Sequence, residues 1–189
     1  SFLLSEFFCK KIRIEYLYAL NIFLFGLSFV LSLYIFTKML DLDKELPLFF
    51  YTLIKYDHIF IDWSLRFDLL VSGLIVLVTF IGLLLAIYSI NLSKNTSITF
   101  DINSYLSLSI FSVLILITSN NLIQFFIAWY LLILSSYLMS NISQNKIDNS
   151  GIFFENRVSD LCFFLSLYFI YKFSNSINFD VIFKSFQII

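Results

Sequence analysis

Asn120–Asp160 reads NNLIQFFIAWYLLILSSYLMSNISQNKIDNSGIFFENRVSD, and the reading of this stretch decides the fold. Its first half is a long apolar run with a Trp-Tyr pair at its middle. A polar loop follows, and a second apolar run opens with Arg157 and Asp160 and continues as LCFFLSLYFIYKF from Leu161 to Phe173. That run is too apolar to stay in water. Two opposite charges three residues apart fall on one helical face. Ionisable groups at the mouth of a membrane helix are functional suspects, because burying them in lipid costs several kcal/mol on most estimates.

The whole chain has the same character. Of its 189 residues 60% are hydrophobic and 13% charged, with a mean hydropathy of +0.91. A soluble domain is about 45–50% apolar and about 25% charged. The composition is that of an all-α membrane protein, and the apolar runs predict about five transmembrane helices. A net charge of −1 and a pI near 5.7 give no footprint for nucleic acid. Cys9 and Cys162 lie far apart in apolar surroundings, outside any CxxC or Cys/His cluster, and read as buried thiols. Four scattered glycines cannot build a phosphate-cradling loop. No cofactor is therefore expected in this chain. The 25 Phe and 11 Tyr, set against 3 Ala and 3 Arg, point to an A/T-rich genome such as those of many organelles.

From the N-terminus, residues 1–15 form a basic tail with Lys10, Lys11 and Arg13. The charges follow an apolar start, and no small-residue cleavage site marks a signal peptide. Residues 16–36 predict a first span, long enough for about 30 Å of hydrocarbon. A polar connection over 37–68 holds four basic and six acidic residues. Within it, His58–Asp68 partly alternates and predicts a short β-hairpin arm; His58 stands alone and reads as a surface residue rather than a ligand. Residues 69–173 hold four further spans, near 69–90, 102–118, 121–139 and 153–173. Ser72, Gly73, Thr79 and Gly82 provide small side chains for close helix approach in the first of these. Residues 174–189 are weakly amphipathic and read as an interfacial segment or as the start of an element continuing past Ile189. The Lys/Arg distribution favours an N-terminus on the cytoplasmic or matrix side.

From Trp63-Ser-Leu-Arg-Phe-Asp68 onward the chain resembles the chain 5 family of respiratory complex I, the proton-pumping NADH:ubiquinone oxidoreductase. The likeness runs through TFIGLLLAIYSI (79–90), SYLSLSIFSVLILITSNNLIQFFIAW (104–129), SSYLM (135–139), NRVSD (156–160) and INFDVIF (177–183). It covers roughly residues 61–183 and corresponds to the first third of such an antiporter-like subunit. The resemblance implies a multi-pass protein of the mitochondrial inner membrane that contributes part of a proton pathway. Its partners would be the other membrane-arm subunits and a polypeptide carrying the rest of the bundle, within the lipid bilayer. NADH, FMN, iron–sulfur clusters and ubiquinone would be handled elsewhere in the complex.

The resemblance also implies site residues. Arg157 and Asp160 stand in the family's Arg-Val-Gly-Asp pattern, with Ser159 in place of glycine. The family has Trp-Glu where this chain has Trp129-Tyr130, so its membrane glutamate is missing. It often has His where this chain has Ala86, and its central lysines would lie beyond Ile189. Tyr130 cannot replace a carboxylate as a proton carrier near neutral pH, because a phenol's reference pKa is about 10; it reads as packing or as a hydroxyl in a relay. Glu155 does not compensate, being about 200° from Arg157 and about 140° from Asp160 at roughly 100° per residue. It suits the N-terminus of its helix instead. Asn121 and Gln124 read either as a polar seam or as snorkelling ends. The proton-path candidates are thus Asp160, Arg157 and Tyr130. The alternatives are a cation/proton antiporter subunit of the same superfamily and a structural remnant that closes the bundle.

Overall fold

The structure, a computed structural model, describes residues 14–42, 46–56, 59–92, 98–143 and 150–187. Residues 1–13 of the basic tail and His58 lie outside the described residues, and α1 takes up the last two residues of that tail. Helix α1 (Ile14–Leu42) leads into a hairpin of β1 (Leu46–Tyr56) and β2 (Ile59–Phe67). Four helices follow, α2 (Leu69–Leu92), α3 (Ile98–Thr118), α4 (Leu122–Ser143) and α5 (Ser150–Ser174), and then a short α6 (Phe179–Gln187).

The molecule is an all-α membrane bundle to which one β-hairpin is added. Among the described residues, three helices are long and apolar enough to cross a bilayer, over Ala19–Asp41, Leu69–Ser89 and Leu122–Ser140. The apolar part of α3 is shorter, Asn103–Thr118. Helix α5 is long enough but carries Arg157, Asp160 and Lys172 along its length.

Burial is inverted relative to a soluble protein. Leu70 is 70% exposed, Phe23 67% and Phe169 63%, whereas Ser72 and Ser112 are fully buried. Lipid tails are as apolar as leucine, so no hydrophobic force drives these side chains inward. Small residues go inside because they let backbones approach. Their hydroxyls fold back on the preceding turn, as Ser72 Oγ does to the Leu69 carbonyl at 2.9 Å and Ser112 Oγ to that of Leu108 at 2.8 Å. Between α1 and α2, Ser32 and Thr79 share a buried hydroxyl–hydroxyl bond of 2.9 Å.

The apolar core is a small cluster of Phe25, Ala86 and Ile110 from α1, α2 and α3. Gly82 makes this approach possible. A Cβ at that position would meet Ile110 Cδ1 at 3.0 Å and the Phe25 ring at 3.2 Å. Gly82→Val should therefore overpack the core and cost about 1–3 kcal/mol. A lowered melting temperature of the assembled protein in detergent checks this, and an unchanged one contradicts it.

The hairpin is longer than the alternation predicts. Residues 59–67 supply only its second strand; the first comes from the preceding Leu46–Tyr56, paired antiparallel from Leu46↔Phe67 to Tyr56↔Ile59. The first strand is masked in the sequence because Leu48-Phe-Phe-Tyr51 is a continuous apolar run without period-two alternation. Two irregularities, between Phe49 and Tyr51 and between Thr52 and Ile54, shift the register further.

Three connections meet at the base of the hairpin. Leu65 bridges Ser119 of the α3–α4 turn, and Asn121 bridges Asn178 of the α5–α6 link. The Leu122 amide donates to the Ile177 carbonyl at 3.1 Å, and the Phe179 amide to that of Asn120 at 3.2 Å. Asp68 caps α2, its Oδ1 accepting from the Val71 amide at 2.7 Å. Asn175 ends α5 in the left-handed region, φ 51°, a conformation that Asn tolerates better than most residues. The ends of α2, α3, α4 and α5 are thereby tied together on the hairpin side.

Candidate functional site

Helices α4 and α5 run antiparallel, and their seam carries the charged residues. Arg157 and Asp160 lie one turn apart on α5, with Arg157 Nη2 3.1 Å from Asp160 Oδ2. The approach is oblique: the atoms are in ion-pair range, yet Asp160 Oδ2 accepts no well-aligned hydrogen bond. The Asp160 side chain is 14% exposed and that of Arg157 39%. From α4, the Tyr130 hydroxyl accepts from Arg157 Nη1 at 3.3 Å. The guanidinium also sits over the Tyr130 ring, 5.4 Å from its centroid. Arg157 is thus held by a carboxylate and an aromatic face, a combination for which its planar, delocalised charge is suited.

The three candidate residues meet at one point, 27 residues apart in sequence between Tyr130 and Arg157. Chemically the set offers one acid, one fixed cation and one phenol. The carboxylate and the cation face each other in ion-pair range, with the carboxylate the more buried of the two. Ser159, in the position of the family's glycine, faces outward and is exposed. Ala86 is 1% exposed and packs in the apolar core with Phe25 and Ile110.

Asn121 and Gln124 are not snorkelling ends. They are 2% and 1% exposed. Asn121 is the N-cap of α4, its Oδ1 accepting from the Gln124 amide at 2.7 Å, while its Nδ2 donates to the Asp62 carbonyl at 2.6 Å. Beside it Asn120 Nδ2 donates to Ser64 Oγ at 3.1 Å. Arg66 pairs with Asp180 at 2.9 Å across 114 residues. Sequence reading misses this polar knot, since nothing local in Ser64 or Asp180 announces a partner so far along the chain. Cys162 is exposed on α5 rather than buried, because its helix faces outward there; Cys9 lies outside the described residues.

Buried small polar residues, a lipid-facing apolar surface and an ionisable cluster in a helix seam define a polytopic membrane protein with a charge-bearing bundle. Residues 119–189 match the family described as NADH:quinone oxidoreductase/Mrp antiporter, TM. The chain is 32% identical over 161 residues to NADH-ubiquinone oxidoreductase chain 5 of Chondrus crispus, covering 83% of this chain and 24% of that protein. It is 36% identical over 132 residues to chain 5 of Acanthamoeba castellanii, covering 67% and 19%. Against NADH-quinone oxidoreductase subunit L of Rickettsia typhi it is 31% identical over 164 residues, covering 84% and 25%. The chain belongs to the family of antiporter-like membrane subunits that includes chain 5 and subunit L. It spans about a quarter or less of the length of these curated relatives.

Proposed function

We propose that the chain is part of the membrane arm of a proton-translocating NADH:quinone oxidoreductase and contributes a segment of a proton pathway. The observation that carries this reading is the Arg157–Asp160–Tyr130 cluster in the α4–α5 seam, in a chain of this family. In this reading α3 and α5 also cross the bilayer, making five crossings with α1, α2 and α4. Asp160 is the group that binds and releases the proton. Arg157 lies in ion-pair range of its carboxylate, and Tyr130 holds Arg157 in place. NADH, flavin, iron–sulfur and quinone chemistry belongs to other parts of the complex, and the partners of this chain are the neighbouring membrane-arm subunits and lipid. The relatives of eukaryotic origin, such as those from Chondrus and Acanthamoeba, support the mitochondrial inner membrane as the location.

The matched family description also names Mrp antiporters, which favours as second reading a cation/proton antiporter subunit. Isolation of the tagged chain from its native membrane separates the two. Copurification with NADH:quinone reductase activity is expected; recovery of the chain in a stable assembly without that activity would favour the antiporter.

Tyr130→Phe separates relay from packing. It removes one 3.3 Å hydrogen bond and keeps the ring under the guanidinium. Proton pumping per electron should change little. A loss as large as that of an Asp160 variant would make the phenol part of the relay.

A further inference from the structure

Above the charged cluster, toward the hairpin side, the α4–α5 seam is filled by aromatic rings. Phe163 lies three residues beyond Asp160 on α5, less than one helical turn further along the axis. Its ring is 5.2 Å from that of Trp129, 5.9 Å from Phe125 and 6.1 Å from Phe126, all from α4. Phe164 adds an edge-to-face contact on Phe126 at 5.8 Å. Beyond these rings Phe125 meets Phe179 at 6.2 Å, and the polar knot of Asn121 begins. The order along the seam is therefore charged cluster, aromatic stack, polar knot.

We infer that Phe163 is the insulating residue of this seam: its ring, packed on Phe125, Phe126 and Trp129, keeps protons at Asp160 from reaching the hairpin side along α4 and α5. A proton crosses a membrane interior on water or on polar groups, and a stack of aromatic rings offers neither. Asp160 and the Asn121 knot are both polar, and both have polar groups with which to hold water. Among the described residues of α4 and α5, these rings lie between the two. The polar groups flanking the stack are Tyr130, Arg157 and Asp160 below and Asn121 and Gln124 above; Phe125, Phe126, Trp129 and Phe163 between them present carbon, apart from the indole N–H. Access to Asp160 is then one-sided, as coupling requires of a group that must not short-circuit the two faces.

The inference rests on the reading of Asp160 as a proton-binding group, and the experiment distinguishes the two. The whole complex carrying the variant is reconstituted in vesicles, a pH step is imposed without NADH, and decay of internal pH is followed with a trapped dye. Phe163→Ala removes the ring and leaves a cavity beside charged groups, which, unlike an apolar cavity, gives water its partners. A proton leak several-fold faster than wild type is expected, while Phe163→Leu, which keeps the seam apolar, should stay at the wild-type level. In Phe163→Ala/Asp160→Asn the leak should disappear. If the leak persists in that double variant, the insulating role stands and Asp160 is not the carrier. An assembled Phe163→Ala complex without a leak overturns the insulating role, whatever Asp160→Asn does to pumping. Should Phe163→Ala not assemble, Phe126→Ala opens the same stack from α4 and is read in the same way.

Discussion

Asp160→Asn is expected to leave NADH oxidation running while fewer protons are moved per electron. Asparagine keeps the shape of the side chain and its carbonyl oxygen, but it cannot bind and release a proton near neutral pH. The lost attraction to Arg157 is modest, because the cation is 39% exposed and retains the Tyr130 ring and hydroxyl. An ion pair in such a setting is worth at most about 1 kcal/mol. Assembly should therefore survive. The decisive measurement is the proton-to-electron ratio in vesicles holding the intact complex, alongside quinone reduction. A normal ratio rules out the role proposed for Asp160, and failure of the variant to assemble reassigns the Arg157–Asp160 pair to structure. A defect restricted to pumping is the signature of a proton carrier remote from the redox chemistry.

The second large effect is structural. Asn121→Ala removes at once the N-cap of α4, the 2.7 Å bond to the Gln124 amide and the 2.6 Å bond to the Asp62 carbonyl. Loss of an N-cap costs about 0.5–2 kcal/mol. Leaving the part-buried Asp62 carbonyl without this donor costs up to about 1–3 kcal/mol more. The two losses share one residue, so about 1–4 kcal/mol is expected rather than the full sum. The result should be poor assembly and a lower melting temperature, together with protease sensitivity at the hairpin. Asn121→Asp is the informative companion. It retains the capping oxygen, to which the helix N-terminus adds a favourable dipole, and loses only the donor to Asp62. It should fall between wild type and Asn121→Ala; equal damage from both would assign the effect to the Asp62 bond alone.

The parts of this protein legible without coordinates are those set by short-range chemistry. The long helices are readable because apolar runs stand out locally, and three of those described, α1, α2 and α4, are long and apolar enough for lipid, where each backbone group must bond within its own segment. The Arg157–Asp160 pair is readable for the same reason, since three residues of helix bring both side chains to one face. The resemblance of the stretches around NRVSD and Trp129 is legible as well. Family membership rests on such stretches taken in order.

Tertiary structure alone decided the rest. Leu46–Tyr56 becomes a strand only because Ile59–Phe67 lies opposite it, a pairing its continuous apolar run does not announce. Tyr130 reaches Arg157 because α4 and α5 lie antiparallel, and no periodicity within either helix specifies that pairing. Phe163 is one Phe among 25 until three rings of α4 are found around it. Asn121 and Gln124 look like polar helix ends in sequence and prove to be buried, because the hairpin and the α5–α6 link close over them. Cys162 errs in the opposite direction, an apolar neighbourhood in sequence that faces outward in space. In a membrane, apolar surroundings along the chain do not separate core from lipid-facing surface; only the packing of the helices against one another does that.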